Sequence, residues 1–191
     1  MRFKVFVALA VVTALMGVPA GVALATSGPS ANSGVAVRNS TSPPGGPVKI
    51  FVTPGNGAAT TILVTGAIGD YGKTLAVDKN GKVDSNGNYI DVTLHKGTFE
   101  MNSTTLDLKA NSSRPTFYKA TCSALDSVTG PVTLFNGTGL YKGIAGALSV
   151  TETYAFISPL SDSGENKGEC NLSAQPVSQY SSITGSGTVS F

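Results

Sequence analysis

From Val48 to Phe191 the chain is a succession of short segments rich in Val, Ile, Thr, Phe and Tyr, each cut from the next by Gly, Asn, Asp, Pro or Ser. Strand character falls on Val48–Val52, Thr60–Thr65, Thr74–Val77, Tyr89–His95, Thr98–Met101, Thr104–Lys109, Thr116–Ala124, Val132–Phe135, Ala147–Ile157 and Ile183–Phe191. In Tyr89–His95 the alternation is clean: Ile90, Val92 and Leu94 share one face and polar residues the other, the period of a half-buried strand. No window sustains the stripe of an amphipathic helix. Short strands at hairpin spacing predict an all-β, antiparallel fold, either a sandwich or a closed barrel. Two Asn-Gly pairs, Asn80-Gly81 and Asn86-Gly87, mark tight turns, since both residue types tolerate the positive φ such turns need. The polar run Ser161–Gly168, between Pro159 and Tyr180, predicts a long surface loop.

Ahead of this domain, residues 1–25 read as a cleavable signal peptide. Arg2 and Lys4 form the basic start, Val5–Leu15 the apolar stretch, and Ala23-Leu24-Ala25 the small-x-small cleavage site. Gly17, Pro19 and Gly21 interrupt the apolar run before the ~20 residues of a membrane span. Cleavage after Ala25 predicts a secreted, extracellular chain with no membrane span in its mature form. Residues 26–47, rich in Ser, Gly and Pro, read as a linker or arm, leaving residues 48–191 as a single folded domain.

Export changes the meaning of charge and of cysteine. The whole chain carries 13 basic and 11 acidic residues, but Arg2 and Lys4 leave with the signal, so the mature chain is near neutral. That argues against a nucleic-acid partner and against a polybasic membrane surface. Cys122 and Cys170 are the two cysteines of a chain routed through an oxidising compartment, and a disulfide between them is expected. Closing so long a loop is worth up to about 4 kcal/mol on the chain-entropy model.

Most chemical constellations fail on spacing. Asp78–Tyr89 has the oxygen ligands of a calcium loop, but Val83 stands where glycine is required and Tyr89 where glutamate is. Gly137-Thr138-Gly139-Leu140-Tyr141-Lys142-Gly143 has three residues, not two, between its second and third glycines, so it is no dinucleotide fingerprint. His95 is the single histidine, and Asp91 on its own strand stands roughly 13 Å away, too far to orient it. It reads as a surface or lumen-lining residue. With one histidine and two pairing cysteines, neither a metal site nor a cofactor is expected. One residue breaks its pattern: on the apolar face Leu148, Val150, Tyr154, Phe156 lies Glu152, either turned outward to water or set in a cavity.

The stretch Asn136–Leu148, with Gly137-Thr138-Gly139, Tyr141, Gly143 and Gly146, resembles the glycine signature of the dirigent and allene oxide cyclase barrel-like group. Gly185–Phe191 resembles the closing strand of its bacterial members, and Asn86–Phe99 is similar in motif order. The resemblance implies an eight-stranded antiparallel barrel whose lumen holds an apolar small molecule without a cofactor, often in a homo-oligomer. No position matches the plant catalytic residues, so no activity carries over. The expected role is therefore a secreted barrel binding a hydrophobic or aromatic small molecule, with Leu148, Val150, Glu152, Tyr154 and Phe156 facing the lumen. A cofactor-independent isomerase or cyclase, and a structural protein with a filled barrel, are the alternatives. Catalytic residues are not identified.

Overall fold

The computed structural model describes residues 44–53 and 59–191; the signal peptide and nearly all of the 26–47 arm lie outside them. The elements in chain order are β1 (Gly46–Thr53), β2 (Ala59–Gly66), β3 (Asp70–Val77), β4 (Tyr89–Leu94), β5 (Gly97–Asn102), α1 (Thr104–Ser112), β6 (Thr116–Tyr118), β7 (Ser123–Phe135), a 3-10 turn (Gly139–Tyr141), β8 (Ala145–Ile157) and β9 (Ser178–Ser190). The strands lie side by side in the order β5-β4-β3-β2-β1-β9-β8-β7, antiparallel throughout, and β5 returns to β7 through Glu100, Met101 and Asn102 against Phe135, Leu134 and Thr133. This closes eight strands into a barrel. The ninth strand, β6, stands outside the closure and pairs with Ser123–Leu125 of β7.

The register explains how the interior fills. Val48, Ile50 and Val52 of β1 align with Ile62 and Val64 of β2 on one side, and with Gly187, Gly185 and Ile183 of β9 on the other. Val92, Phe99, Met101, Leu134, Val132, Leu148 and Val150 complete the ring, each nearly inaccessible to water. Gly185 and Gly187 leave room for these side chains: a Cβ on Gly185 would come within 2.8 Å of Val150 and 3.0 Å of Ile50. An eight-stranded barrel is just wide enough for side chains to fill, and here they fill its body.

One end is sealed by the β7–β8 connection. Gly139 takes φ +59 with the Lys96 carbonyl 2.5 Å from where a Cβ would stand, so a glycine is required there. The turn it permits drives Tyr141 into the end of the barrel, fully buried, edge-on to Phe99 at 5.9 Å and beside Phe191. At the other end β7, β8 and β9, each 13 residues long, outrun their shorter neighbours and with β6 form a four-stranded extension. Cys122 and Cys170 are disulfide-bonded, with Cα atoms 5.2 Å apart, and pin the loop between β8 and β9 to the far end of that extension.

Four local expectations need correction. Thr104–Lys109 is not a strand but the body of α1, whose only buried residue is Leu106. It coils because Asn102 accepts a hydrogen bond from the Thr104 amide, and because Leu106 finds a seat over Gly130, a tertiary contact that local pattern does not show. Thr116–Ala124 breaks into β6 and the start of β7 at a turn where Cys122 takes φ 51. The segment between β3 and β4 does turn twice, but neither asparagine adopts positive φ. Asp78 accepts from the amides of Asn80 and Lys82, and Asp84 from that of Asn86, so side-chain-capped Asx turns replace the Asn-Gly type expected. The first strand also begins at Gly46, two residues ahead of the expected domain start, with Gly46 and Pro47 opposite Val189 and Thr188.

Candidate functional site

The parity of β8 puts Leu148, Val150, Glu152, Tyr154 and Phe156 on the face that looks into the barrel, opposite Val132, Gly130, Val128, Asp126 and Ala124 of β7. The five do not form one site. Leu148 and Val150 are packed into the core at 1% and 2% exposure. Glu152, Tyr154 and Phe156 lie above them at the mouth, each half-buried.

At the mouth Glu152 sits between Val128 of β7 and Ile183 of β9. These apolar flanks, more than any charge, push its carboxyl above the ordinary range, and the neighbouring Asp107 carboxylate adds to the effect. Asp107 comes from α1, which crosses the mouth. Its carboxyl is also raised by burial, although Ser103 donates a hydrogen bond to it at 2.8 Å. Two carboxyls that burial disfavours as anions therefore lie near each other, one on the helix and one on the sheet. Beyond them Tyr154 and Phe156 stack with ring centres 5.6 Å apart, and the Tyr154 hydroxyl donates to Gln179 Oε1 of β9 at 3.0 Å. Asp126, on the same inner face, accepts from Ser113 just past the end of α1. The result is a half-buried cluster of three carboxyl groups and two aromatic rings at the barrel mouth. It can accept hydrogen bonds from a donor-bearing group and cover an apolar body.

Sequence reasoning missed Asp107, because α1 was not legible, and Asp126, whose partner lies across that helix. It weighed Asp91 alone as a partner for His95, set it aside as too distant, and did not reach Asp70. His95 Nδ1 lies 3.0 Å from the Tyr71 carbonyl oxygen and 3.7 Å from the buried Asp70 carboxylate, and its ring stacks on Tyr71 at 4.1 Å. A groove of about 440 Å³ on the outer wall beside it is lined by Lys73, Leu75, Asp91 and Thr93. No serine, threonine or cysteine is hydrogen-bonded to His95 among the described residues, so a nucleophile–base pair is not assembled. A second concavity, of about 330 Å³, lies by Lys109, Thr129 and Pro131. Among the described residues no group of three His, Cys, Asp or Glu is arranged to hold a metal, and no helix is long and apolar enough to cross a membrane.

No protein-family model matches the chain, and no curated protein or solved structure is significantly similar to it.

Proposed function

We propose that this β-barrel is an exported, non-catalytic binding protein that takes a small aromatic or apolar molecule carrying a hydrogen-bond donor at its mouth rather than in its lumen. The observation that carries the reading is the half-buried Glu152 set beside Tyr154 and Phe156 directly above a filled core. A carboxyl kept from water by Val128 and Ile183 gains most from a partner that brings a donor and excludes solvent. The glycine motif supports membership of the dirigent and allene oxide cyclase-like group through its architectural part: it builds the turn that lets Tyr141 seal the barrel. Export is supported by the disulfide, and mass spectrometry of secreted protein should find Thr26 at the N-terminus.

Binding is tested by fluorescence titration with N-phenyl-1-naphthylamine, an uncharged aromatic amine. Saturable enhancement is expected, weakened about tenfold by Phe156→Ala, the scale of losing one buried aromatic contact. Amide shifts on titration should centre on residues 152–156. Absence of saturable binding, or shifts confined to the groove beside His95, overturns the reading. The filled barrel body then favours the second reading, a structural protein whose extension and arm contact neighbours.

A further inference from the structure

The strand register lays a continuous row of side chains round the outer wall of the barrel. Thr184 of β9 stands opposite Phe51 of β1, Phe51 opposite Leu63 of β2, and Leu63 opposite Tyr71 of β3, whose ring rests on His95 at the end of β4. Phe51 is 44%, Leu63 48% and Tyr71 60% exposed. The row is one residue wide. Toward the mouth it is bordered by Thr61, Lys73 and Thr93, opposite one another on β2, β3 and β4, and toward the sealed end by Lys49 and Thr65 on β1 and β2. Lys49 and Lys73, one on each side, are exposed and form no ion pair among the described residues. One row further toward the mouth, Asp91 and Glu100 stand opposite each other and end this basic zone. Contiguous exposed apolar side chains rimmed by polar ones have the pattern of a binding surface.

We infer that this row is a binding track for an extended acidic polysaccharide, with sugar rings seated on Phe51 and Tyr71 and carboxylates held by Lys49 and Lys73. The C–H groups on the face of a sugar ring carry slight positive charge and lie flat against the negative face of an aromatic ring. Phe51 and Tyr71 are two strands apart, roughly 9.6 Å, a separation that suits alternate rings of an extended chain. Between them Leu63 covers the intervening ring. Lysines on both sides of the row meet the acid groups of such a chain at either edge, and the carboxylates of Asp91 and Glu100 keep it from straying toward the mouth. The hydroxyls of Thr61 and Thr93 donate to and accept from the sugar hydroxyls. The groove beside His95, lined also by Lys73 and Thr93, adjoins the Tyr71 end and gives one ring a recess. Past Phe51 the row continues through Thr184, Thr151 and Thr129, uncharged hydroxyls that a longer chain would meet. Width decides the occupant: a protein partner or second copy needs a broad patch, about 800 Å² a side, whereas a track one side chain wide between lysines fits a single polymer chain. The track is on the outer wall and does not depend on the cluster at the mouth.

The test is an NMR titration of the mature, disulfide-bonded chain with a mannuronate hexamer and with mannohexaose, which has the same rings and no carboxylate. Saturable amide shifts should centre on Phe51, Leu63, Tyr71 and Lys73, and the affinity should fall as salt is raised. Mannohexaose should bind about tenfold more weakly. Tyr71→Ala and Phe51→Ala should each weaken the mannuronate complex about tenfold, while Tyr71→Phe, which keeps the ring, should leave it unchanged. Lys73→Gln should weaken the acidic hexamer severalfold and leave the neutral one as it was, a split that no folding defect produces. Absence of saturable shifts, shifts confined to the mouth, equal binding of the two hexamers, or indifference to Tyr71→Ala would each overturn the inference. So would amides of the row that move with protein concentration, which would give the row to a second copy, or binding of anionic phospholipid vesicles without binding of the hexamer.

Discussion

Tyr141 donates its hydroxyl to Asp70 Oδ2 at 2.6 Å, tying the β7–β8 turn to the start of β3 across 71 residues of sequence inside the sealed end of the barrel. The same carboxylate accepts from the amides of Tyr71 and Lys96. Burial pushes the Asp70 carboxyl up, but these three donors outweigh it and hold it below the ordinary range. Because the folded value is depressed, Asp70 contributes stability at any pH above the ordinary carboxyl range, and that contribution is lost as the pH falls through the folded value. Tyr141→Phe keeps the packing against Phe99 and removes one donor from a buried anion. It should cost about 1–3 kcal/mol at neutral pH and move the acid unfolding midpoint to higher pH, measured by urea denaturation across the acid range.

Glu152 shows the opposite sign. Its carboxyl is raised by burial and by Asp107, so the folded protein holds the proton more tightly than the unfolded chain. Stability carried by the protonated form is complete below the unfolded carboxyl range and is lost as pH rises through the folded value. Glu152→Gln should therefore raise the melting temperature at pH 7 by a few degrees, and the gain should shrink toward nothing as the pH is lowered below the ordinary carboxyl range. A constant gain at all pH values would mean that amide packing, not charge, is responsible.

The barrel was legible because its determinants are local. Period-two alternation in β1, β4 and β8 marks which face is buried, and the glycines at 137, 139, 185 and 187 stand where backbone or core side chains come too close for a Cβ. Long strands were harder: β7 runs through Gly130-Pro131, residues that ordinarily end a strand, because Gly130 faces α1 and Pro131 lies on the exposed face. The helix was not legible, since Thr104–Lys109 alternates like a strand and only Leu106 is buried in the folded chain. For the site, alternation placed Glu152 on the apolar face, but the height at which the lumen fills depends on residues from several strands. Leu148 and Val150 could not be separated from Glu152, Tyr154 and Phe156 by their pattern on one strand.

The disulfide closes a loop of 48 residues in sequence and holds the β8–β9 connection, which includes the polar run Ser161–Gly168, against the turn before β7. Leu160 and Cys170 form a lone bridge within that connection, and the Cys122 carbonyl accepts from the Ser158 amide, so the crosslink ends at an ordered junction. Replacing both cysteines by alanine should lower stability by about 2–4 kcal/mol. Limited proteolysis of the reduced protein should cut first within residues 161–169, before any cleavage in the barrel strands. Unchanged stability on reduction would show that the loop is ordered without the bond.

The seat of α1 allows the link between fold and the Glu152 environment to be tested. Gly130 faces inward from β7, and a Cβ there would stand 2.9 Å from the Leu106 Cα and 3.2 Å from its Cβ and Cδ1. A clash with a backbone atom cannot be relieved by a rotamer change, so Gly130→Ala must lift the helix, at about 1–3 kcal/mol by the usual scale of overpacking. Leu106→Ala removes a fully buried side chain and should cost about 2–5 kcal/mol. The two changes act on one packing interface, so the double variant should be less destabilised than the sum of the singles, yet not restored, because the clash with the helix backbone at residue 106 persists. Lifting α1 also draws Asp107 away from Glu152 and admits water to both carboxyls, which lets the raised Glu152 carboxyl fall back toward its ordinary range. Titration of the Glu152 side-chain carboxyl by carbon NMR in Gly130→Ala should show that fall, while Asp70, at the sealed end, should titrate as it does in the wild type.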